Sequence, residues 1–190
     1  SIMKVRIQFS KHGVMKFIGH LDIMRYFQKA MRRADIDIAY SGGYSPHQIM
    51  SFAAPLGVGL ESDGEYLDIE VNSHNGADRM MEDLNAVMVD GIRILSVRML
   101  PDQAKNAMAS VAAAGYLVRF RDGYEPEFDH QGTLQEFYGQ DTIPFVKQTK
   151  KSEIELDLKP AIYELKIWDE SVYMHVDASS AGNIKPSMVM

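Results

Sequence analysis

Apolar and polar residues alternate strictly from Met3 to Phe9 (M-K-V-R-I-Q-F), the two-residue period of a strand with one face buried. Ser10 to Gly19 loses that period, and Gly13 and Gly19 mark it as a loop. From His20 to Ala34 the spacing changes. Leu21, Met24, Phe27, Met31 and Ala34 recur at three- and four-residue steps, which predicts a helix with one apolar stripe. Asp22 falls in its first turn and two arginines near its end, each where the helix dipole favours that charge. Ile36 to Tyr40 predicts a short strand. Ser41-Gly42-Gly43-Tyr44-Ser45-Pro46 predicts a loop of free backbone ending in a fixed proline. Met50 to Leu60 is apolar but interrupted by Pro55, Gly57 and Gly59, the pattern of a bulged strand. Tyr66 to Val71 alternates again, Ala77 to Met88 predicts a second helix, and Ile92 to Met99 another strand.

The order strand, helix, strand, strand, helix, strand predicts an α+β class with a ferredoxin-like split βαβ arrangement in a first domain, residues 1–100. Two helices would cover one face of an antiparallel sheet and leave the other free. Residues 101–190 predict a second α+β unit, a more degenerate ferredoxin-like one. Its strands are expected at Gly115 to Arg121, Phe145 to Lys150, Glu153 to Leu158, Tyr163 to Trp168 and Val172 to Val176, with a short helix or turn at Thr133 to Tyr138. A closing helix is expected after Ala181 to Pro186, so the C-terminus is expected to be incomplete.

Composition narrows the class. At 46% hydrophobic and 24% charged over 190 residues the chain is ordinary for a globular protein. No apolar run approaches the roughly 20 residues that span a bilayer, and no secretory leader pattern stands at the N-terminus. There is no cysteine, so disulfides, thiolate zinc sites and cysteine-held iron–sulfur clusters are excluded from this chain. A cytoplasmic location is expected. The net charge of −6 is uneven. Residues 1–50 hold eight Lys and Arg against three Asp, a balance of +5, and residues 51–190 carry −11. A basic face on an acidic body suits a selective phosphate-binding patch; scattered solvated charge is the other reading.

Four groups carry candidate chemistry. Arg25, Lys29, Arg32 and Arg33 fall opposite the apolar stripe and suit a phosphate backbone, with Lys11 as a further contact; a solvated face paired with acids has the same pattern. Tyr40, Tyr44 and His47 belong to the Gly-rich loop, where tyrosines can stack on unpaired bases or simply pack on the sheet. The loop is neither a Walker A sequence nor a dinucleotide fingerprint. A pair among His12, His20 and His47, together with Lys11, suits metal-independent RNA cleavage, one histidine as base and one as acid. His20, Asp22 and His47 also suit a divalent metal, and a histidine at a helix start suits capping alone. Lys150 and Lys151, in the run K-Q-T-K-K, extend the basic track or form a solvated turn.

V-R-I-Q-F-S-K-H-G, then I-G-H-L-D-I-M-R-Y-F-Q-K-A-M-R-R-A-D-I, then A-Y-S-G-G-Y-S-P-H-Q-I-M-S-F-A-A-P-L-G-V-G-L-E-S-D-G-E-Y-L-D-I-E resemble the bacterial radical SAM-linked protein family. The resemblance is dense over residues 4–71 and continues through L-N-A-V-M-V-D-G-I-R-I-L and L-D-L-K-P-A-I. The chain departs from that family at His47, where a basic residue is usual, and at Lys159, where an arginine is frequent. The resemblance implies an accessory to a radical SAM enzyme, encoded near RNA-processing or ribosomal genes, with no catalytic residues to carry over. Any iron–sulfur cluster and S-adenosylmethionine would lie in the partner, and no cofactor is expected in this chain. The first half is also similar in fold to ferredoxin-like modules of the CRISPR RNA-processing superfamily. The leading expectation is a non-catalytic RNA-binding or substrate-presenting partner in tRNA or rRNA modification. A metal-independent endoribonuclease using His20 and His47, and an adaptor that docks the radical SAM subunit, are the alternatives.

Overall fold

The computed structural model describes residues 1–53, 59–105, 110–111, 113–168, 170–179 and 184–190. Alternation at the N-terminus becomes β1 (Met3–Lys11), which lies inside a four-stranded antiparallel sheet. A 3-10 turn (Gly13–Phe17) leads to α1 (His20–Arg33), followed by β2 (Met50–Phe52), β3 (Ser62–Val71), α2 (Ala77–Asn85) and β4 (Ile92–Leu100). The strand order is β2-β3-β1-β4. Register explains the buried face: Val5 stands opposite Ile69 and Met99, and Ile7 opposite Leu67 and Val97. Ile23, Phe27 and Met31 of α1 and Met80 and Leu84 of α2 join those strand residues in one core, so both helices cover the same face.

The α1 stripe is rotated from the expected one. Ile23, Phe27, Ala30 and Met31 are buried, whereas Leu21 is 66% exposed near the N-terminal end of the helix. Phe9, Phe27 and Phe52 form an aromatic trio with centroids 4.8, 5.8 and 6.2 Å apart, tying β1, α1 and β2 together. Expected strand 36–40 is not one. Only isolated bridges, Ile38 to Val71 and Tyr40 to Gln48, form there. Asp35 sits at φ 52 and Ile38 N–H turns back to the Ile36 carbonyl at 2.8 Å, which kinks the segment before a ladder can run. Met50 to Leu60 is a strand only at β2, with 54–58 outside the described residues. Helix α2 ends earlier than expected. The Asn85 amide donates to the Ile94 carbonyl and accepts the Ile94 N–H, at 3.0 and 2.8 Å, and so binds the helix end to β4.

The chain divides into Ser1–Ser110 and Val111–Met190, so residues 101–110, expected in the second domain, belong to the first unit. Parts of the connecting Ala-rich run (106–109 and 112) and of the 181–186 loop (181–183) lie outside the described residues. The second unit contains β5 (Ala113–Arg119), α3 (His130–Gly139), β6 (Pro144–Gln148), β7 (Glu153–Asp157), β8 (Ile162–Trp168), β9 (Ser171–Asp177) and α4 (Pro186–Val189). Its sheet runs β5-β9-β8, while β6 and β7 pair only with each other. The described residues therefore do not repeat the first unit's sheet. In the β6–β7 hairpin only Phe145 is partly buried against the second core, while every β7 residue, Ile154 and Leu156 included, is exposed. Asp129 caps α3 by accepting the Gly132 N–H at 3.0 Å, and Leu134, Leu158, Met174 and Val176 form a separate core. The whole is a mixed α+β structure. Among the described residues no helix is long and apolar enough to cross a membrane.

Candidate functional site

Helix α1 presents its cations to solvent because its opposite side is committed to the core. At about 100° per residue, Arg25, Lys29 and Arg32 share the face away from Phe27, with Arg33 at its flank, and all four are exposed. Arg25 stands 3.7 Å from Asp22 one turn back, both ends solvated. Lys29, Arg32 and Arg33 have no ion-pair partner among the described residues. Such cations keep most of their attraction for a polyanion.

The Gly/Tyr loop is built as a closed tongue. Tyr40 bridges Gln48, Ser41 N–H donates to the His47 carbonyl at 2.8 Å, and Ile49 N–H donates to the Ala39 carbonyl at 2.9 Å. Ser41 Oγ accepts the His47 N–H at 3.1 Å and lies 2.9 Å from His47 Nδ1, so the imidazole is fixed within its own loop. Gly43 at φ 98 takes a left-handed turn that only glycine adopts freely. Beyond it Tyr44 is fully exposed and Tyr40 half-exposed. Gln48, buried under the tongue, donates Nε2–H to the Gln28 carbonyl of α1 at 3.1 Å. Gln28 lies three residues after Arg25 and four before Arg32, so the tongue is fastened beside the cationic face. Among the described residues Gln48 Oε1 is buried without a partner.

Lys11 is elsewhere. It points to the core side of β1, 5% exposed, with Nζ 4.0 Å from Glu65 Oε1 on β3. That removes it from a phosphate track along α1: the inward half of the β1 pleat holds Lys11, while α1 carries its cations outward. Lys11 and Glu65 floor a recess walled by Phe9, Ile18, Ile23 and Phe52, with His20 at its rim. His20 is the first residue of α1, uses no side-chain hydrogen bond as a cap, and packs edge-on against Phe52 at 5.5 Å. His47 is instead held by Ser41 within its own loop, so among the described residues neither histidine has the other as a hydrogen-bond partner. No group of three or more His, Asp or Glu suited to a metal occurs among the described residues. Asp22 faces Arg25 instead.

The family model described as an uncharacterized protein conserved in bacteria, DUF2344, matches residues 4–186. The chain belongs to the DUF2344 family. No curated protein matches it. In this DUF2344 chain Lys150 and Lys151 are exposed in the turn between β6 and β7, closed by Thr149 N–H to the Ser152 carbonyl at 2.8 Å. They belong to the second unit.

Sequence reasoning missed three acidic partners, Glu65 of Lys11 and Asp63 and Glu61 of His12. Glu65 takes the place of an apolar residue in the β3 series Leu67, Ile69, Val71, as Lys11 does after Val5, Ile7 and Phe9; the broken alternation on paired strands was the available signal. His12 is held by both ring nitrogens, Nε2 to Asp63 at 2.6 Å and Nδ1 to Glu61 at 3.1 Å. Glu61 also accepts the Gly13 N–H at 3.1 Å. The Asp63 and then the Glu61 hydrogen bond raise the His12 pKa above its ordinary value, and His12 with the Gly13 N–H holds Glu61 below the usual carboxyl range.

Proposed function

We propose that this protein is an RNA-binding, substrate-presenting accessory to a radical SAM enzyme, acting in tRNA or rRNA modification. Arg25, Lys29, Arg32 and Arg33 hold phosphates, while Tyr40, Tyr44 and His47 meet an unstacked base or flexible segment. One observation carries the reading: three cations without ion-pair partners stand on the helix face beside which an exposed tyrosine tongue is fastened. Phosphate contacts supply affinity, and aromatic stacking favours single-stranded segments. The resemblance to the radical SAM-linked family supplies the partner. The iron–sulfur cluster and S-adenosylmethionine belong to that partner, since this chain has no cysteine to hold a cluster. We also assign the first unit to the ferredoxin-like split βαβ arrangement, supported by its order β2-β3-β1-β4 with both helices on one face.

RNA binding measured against salt tests this reading. Arg32→Ala/Arg33→Ala is expected to weaken binding and to lower the slope of log K against log salt by about 1.4 on single strands. Equal affinity and equal slope in the two proteins would remove the proposal. The adaptor reading is favoured by a different observation, the exposed Val14, Phe17 and Leu21 leading into α1. Capture of the radical SAM protein at high salt that survives Arg32→Ala/Arg33→Ala and is lost in Phe17→Ser would support it.

A further inference from the structure

We propose that Phe17, in the turn before α1, is a second base-stacking residue for single-stranded RNA. This rests on the RNA reading above and names the form of RNA the site takes, an unpaired run that reaches both Phe17 and the tongue. The 3-10 turn repeats every three residues, so Met15 and Ile18 fall on one side of it and Val14 and Phe17 on the other. Met15 and Ile18 pack against the first core. Val14 and Phe17 are left outside, 79% and 56% exposed. The backbone beneath them is fixed all the same. Gly59 N–H donates to the Lys16 carbonyl at 2.7 Å, and Gly13 N–H to Glu61 Oε1 at 3.1 Å. Lys16 Nζ lies 5.3 Å from the Phe17 centroid and shares its charge with Glu61 at 4.0 Å. A ring on so fixed a backbone loses little conformational freedom when a base covers it.

Position decides what the ring is for. Phe17 stands two residues before Gly19, the cap of α1, and so at the start of the cationic strip. At about 100° per residue, Leu21, Arg25 and Arg32 fall within about 40° of one another, with Lys29 about 80° from Leu21. From Leu21, itself 66% exposed, the strip runs about 16 Å to Arg32 at about 1.5 Å per residue. The tongue is fastened at Gln28, in the second half of the helix. An unpaired strand lying there meets a ring before the helix and the tyrosines beside it, with phosphates between. Every base has a face to stack, so such a site tolerates any sequence. A duplex does not suit it, because paired bases keep their faces in the stack. A protein partner fits this surface less well. Even at about 200 Å² apiece, Val14, Phe17 and Leu21 supply less than the roughly 800 Å² that each partner gives to a stable interface. The remainder would come from the cations of α1, which offer charge and little apolar area.

Fluorescence anisotropy on the full chain, with single-stranded dodecauridylate and an abasic strand of the same length as probes, tests the proposal. Phe17→Leu keeps the apolar bulk and removes the ring. It is expected to weaken dodecauridylate binding at least about fivefold, with the salt slope unchanged because no phosphate contact is lost. The abasic strand is expected to bind wild type and Phe17→Leu alike. Phe17→Trp is expected to keep the affinity, and its added emission to be quenched by dodecauridylate but not by the abasic strand. Arg32→Ala/Arg33→Ala is expected to lower the slope instead. Equal dodecauridylate affinity in wild type and Phe17→Leu, beside a weakened Arg32→Ala/Arg33→Ala, would overturn the stacking role. It would hand the turn to a protein partner and leave the RNA reading standing. An abasic strand weakened as much as dodecauridylate, or tighter binding of the paired duplex than of the single strand, would overturn the stacking role too. No salt-dependent binding by the wild type would remove the RNA reading, and this proposal with it.

Discussion

Gly91 shows how much one residue can fix. Its φ of 95 lies in the left-handed region, and a Cβ there would come within 2.5 Å of the His12 carbonyl and 2.8 Å of Met15 Cγ. The His12 N–H donates to the Gly91 carbonyl at 2.7 Å, so the two backbones meet where β1 ends and β4 begins. Gly91→Ala is expected to destabilise by at least about 2 kcal/mol, from backbone strain and backbone clash together. Gly13→Ala, also at positive φ but with nothing within 4 Å, is expected to cost only about 1 kcal/mol. Urea midpoints compare them, and equal losses would refute the argument. His12 makes a second prediction. Its two nitrogens face two carboxylates, and only the imidazolium can donate to both. Because its pKa is raised from 6.5, the stabilisation is complete below about that pH and is lost as pH rises through the elevated value. Glu61, lowered from 4.5, contributes above that pH and loses its contribution as pH falls through the depressed value. The melting-temperature gap between wild type and His12→Asn should therefore be widest between those two pH values and shrink towards pH 9. A gap that stays constant across the range would show that the clamp is not ionic.

Helix α1 and the tongue at 40–48 form one unit through Gln48, and a substitution there separates stability from binding. Gln48→Leu gives up the hydrogen bond to the Gln28 carbonyl but also removes the buried, unpartnered Oε1. A lost hydrogen bond and a relieved orphan acceptor oppose each other, so unfolding free energy is expected to change by no more than about 1 kcal/mol. RNA affinity is expected to fall, because the tyrosines are no longer fastened beside Arg25 and Arg32. Unchanged affinity in a stable variant would show that the tongue takes no part. Elements of this kind were legible in the sequence to different degrees. β1, α1, β3, α2 and β4 announce themselves by period, since each buries one face and the period records that face. The kinked segment after Asp35 did not, because I-D-I-A-Y has strand composition and its turn is set by local hydrogen bonds. Nor did the fate of Lys11. In a list of basic residues it looks like its neighbours on α1, and only the register opposite β3 places it on the core side with Glu65.

At the scale of the molecule, charge is divided between two units with separate cores. Residues 1–110 carry 12 basic and 13 acidic side chains, and residues 111–190 carry 8 and 13. The first unit is thus nearly neutral, with four of its 12 cations on α1, and the second is a net repeller of polyanions. Long-range repulsion of that kind is screened beyond roughly 10 Å at 0.1 M salt, so it acts on affinity mainly at low ionic strength. A fragment of residues 1–110 keeps the whole of its own core and sheet, so it is expected to remain folded. It should bind single-stranded RNA at least as tightly as the full chain at low salt, and with the same slope against log salt, because every phosphate contact proposed above lies on α1. The same measurement decides what Lys150 and Lys151 do in the β6–β7 turn. If they touched phosphates, the fragment would lose about 0.7 of slope for each contact, and affinity would drop rather than rise. A fragment that matches the full chain in slope and exceeds it at low salt confines the RNA site to the first unit; a shallower slope moves part of it into the second.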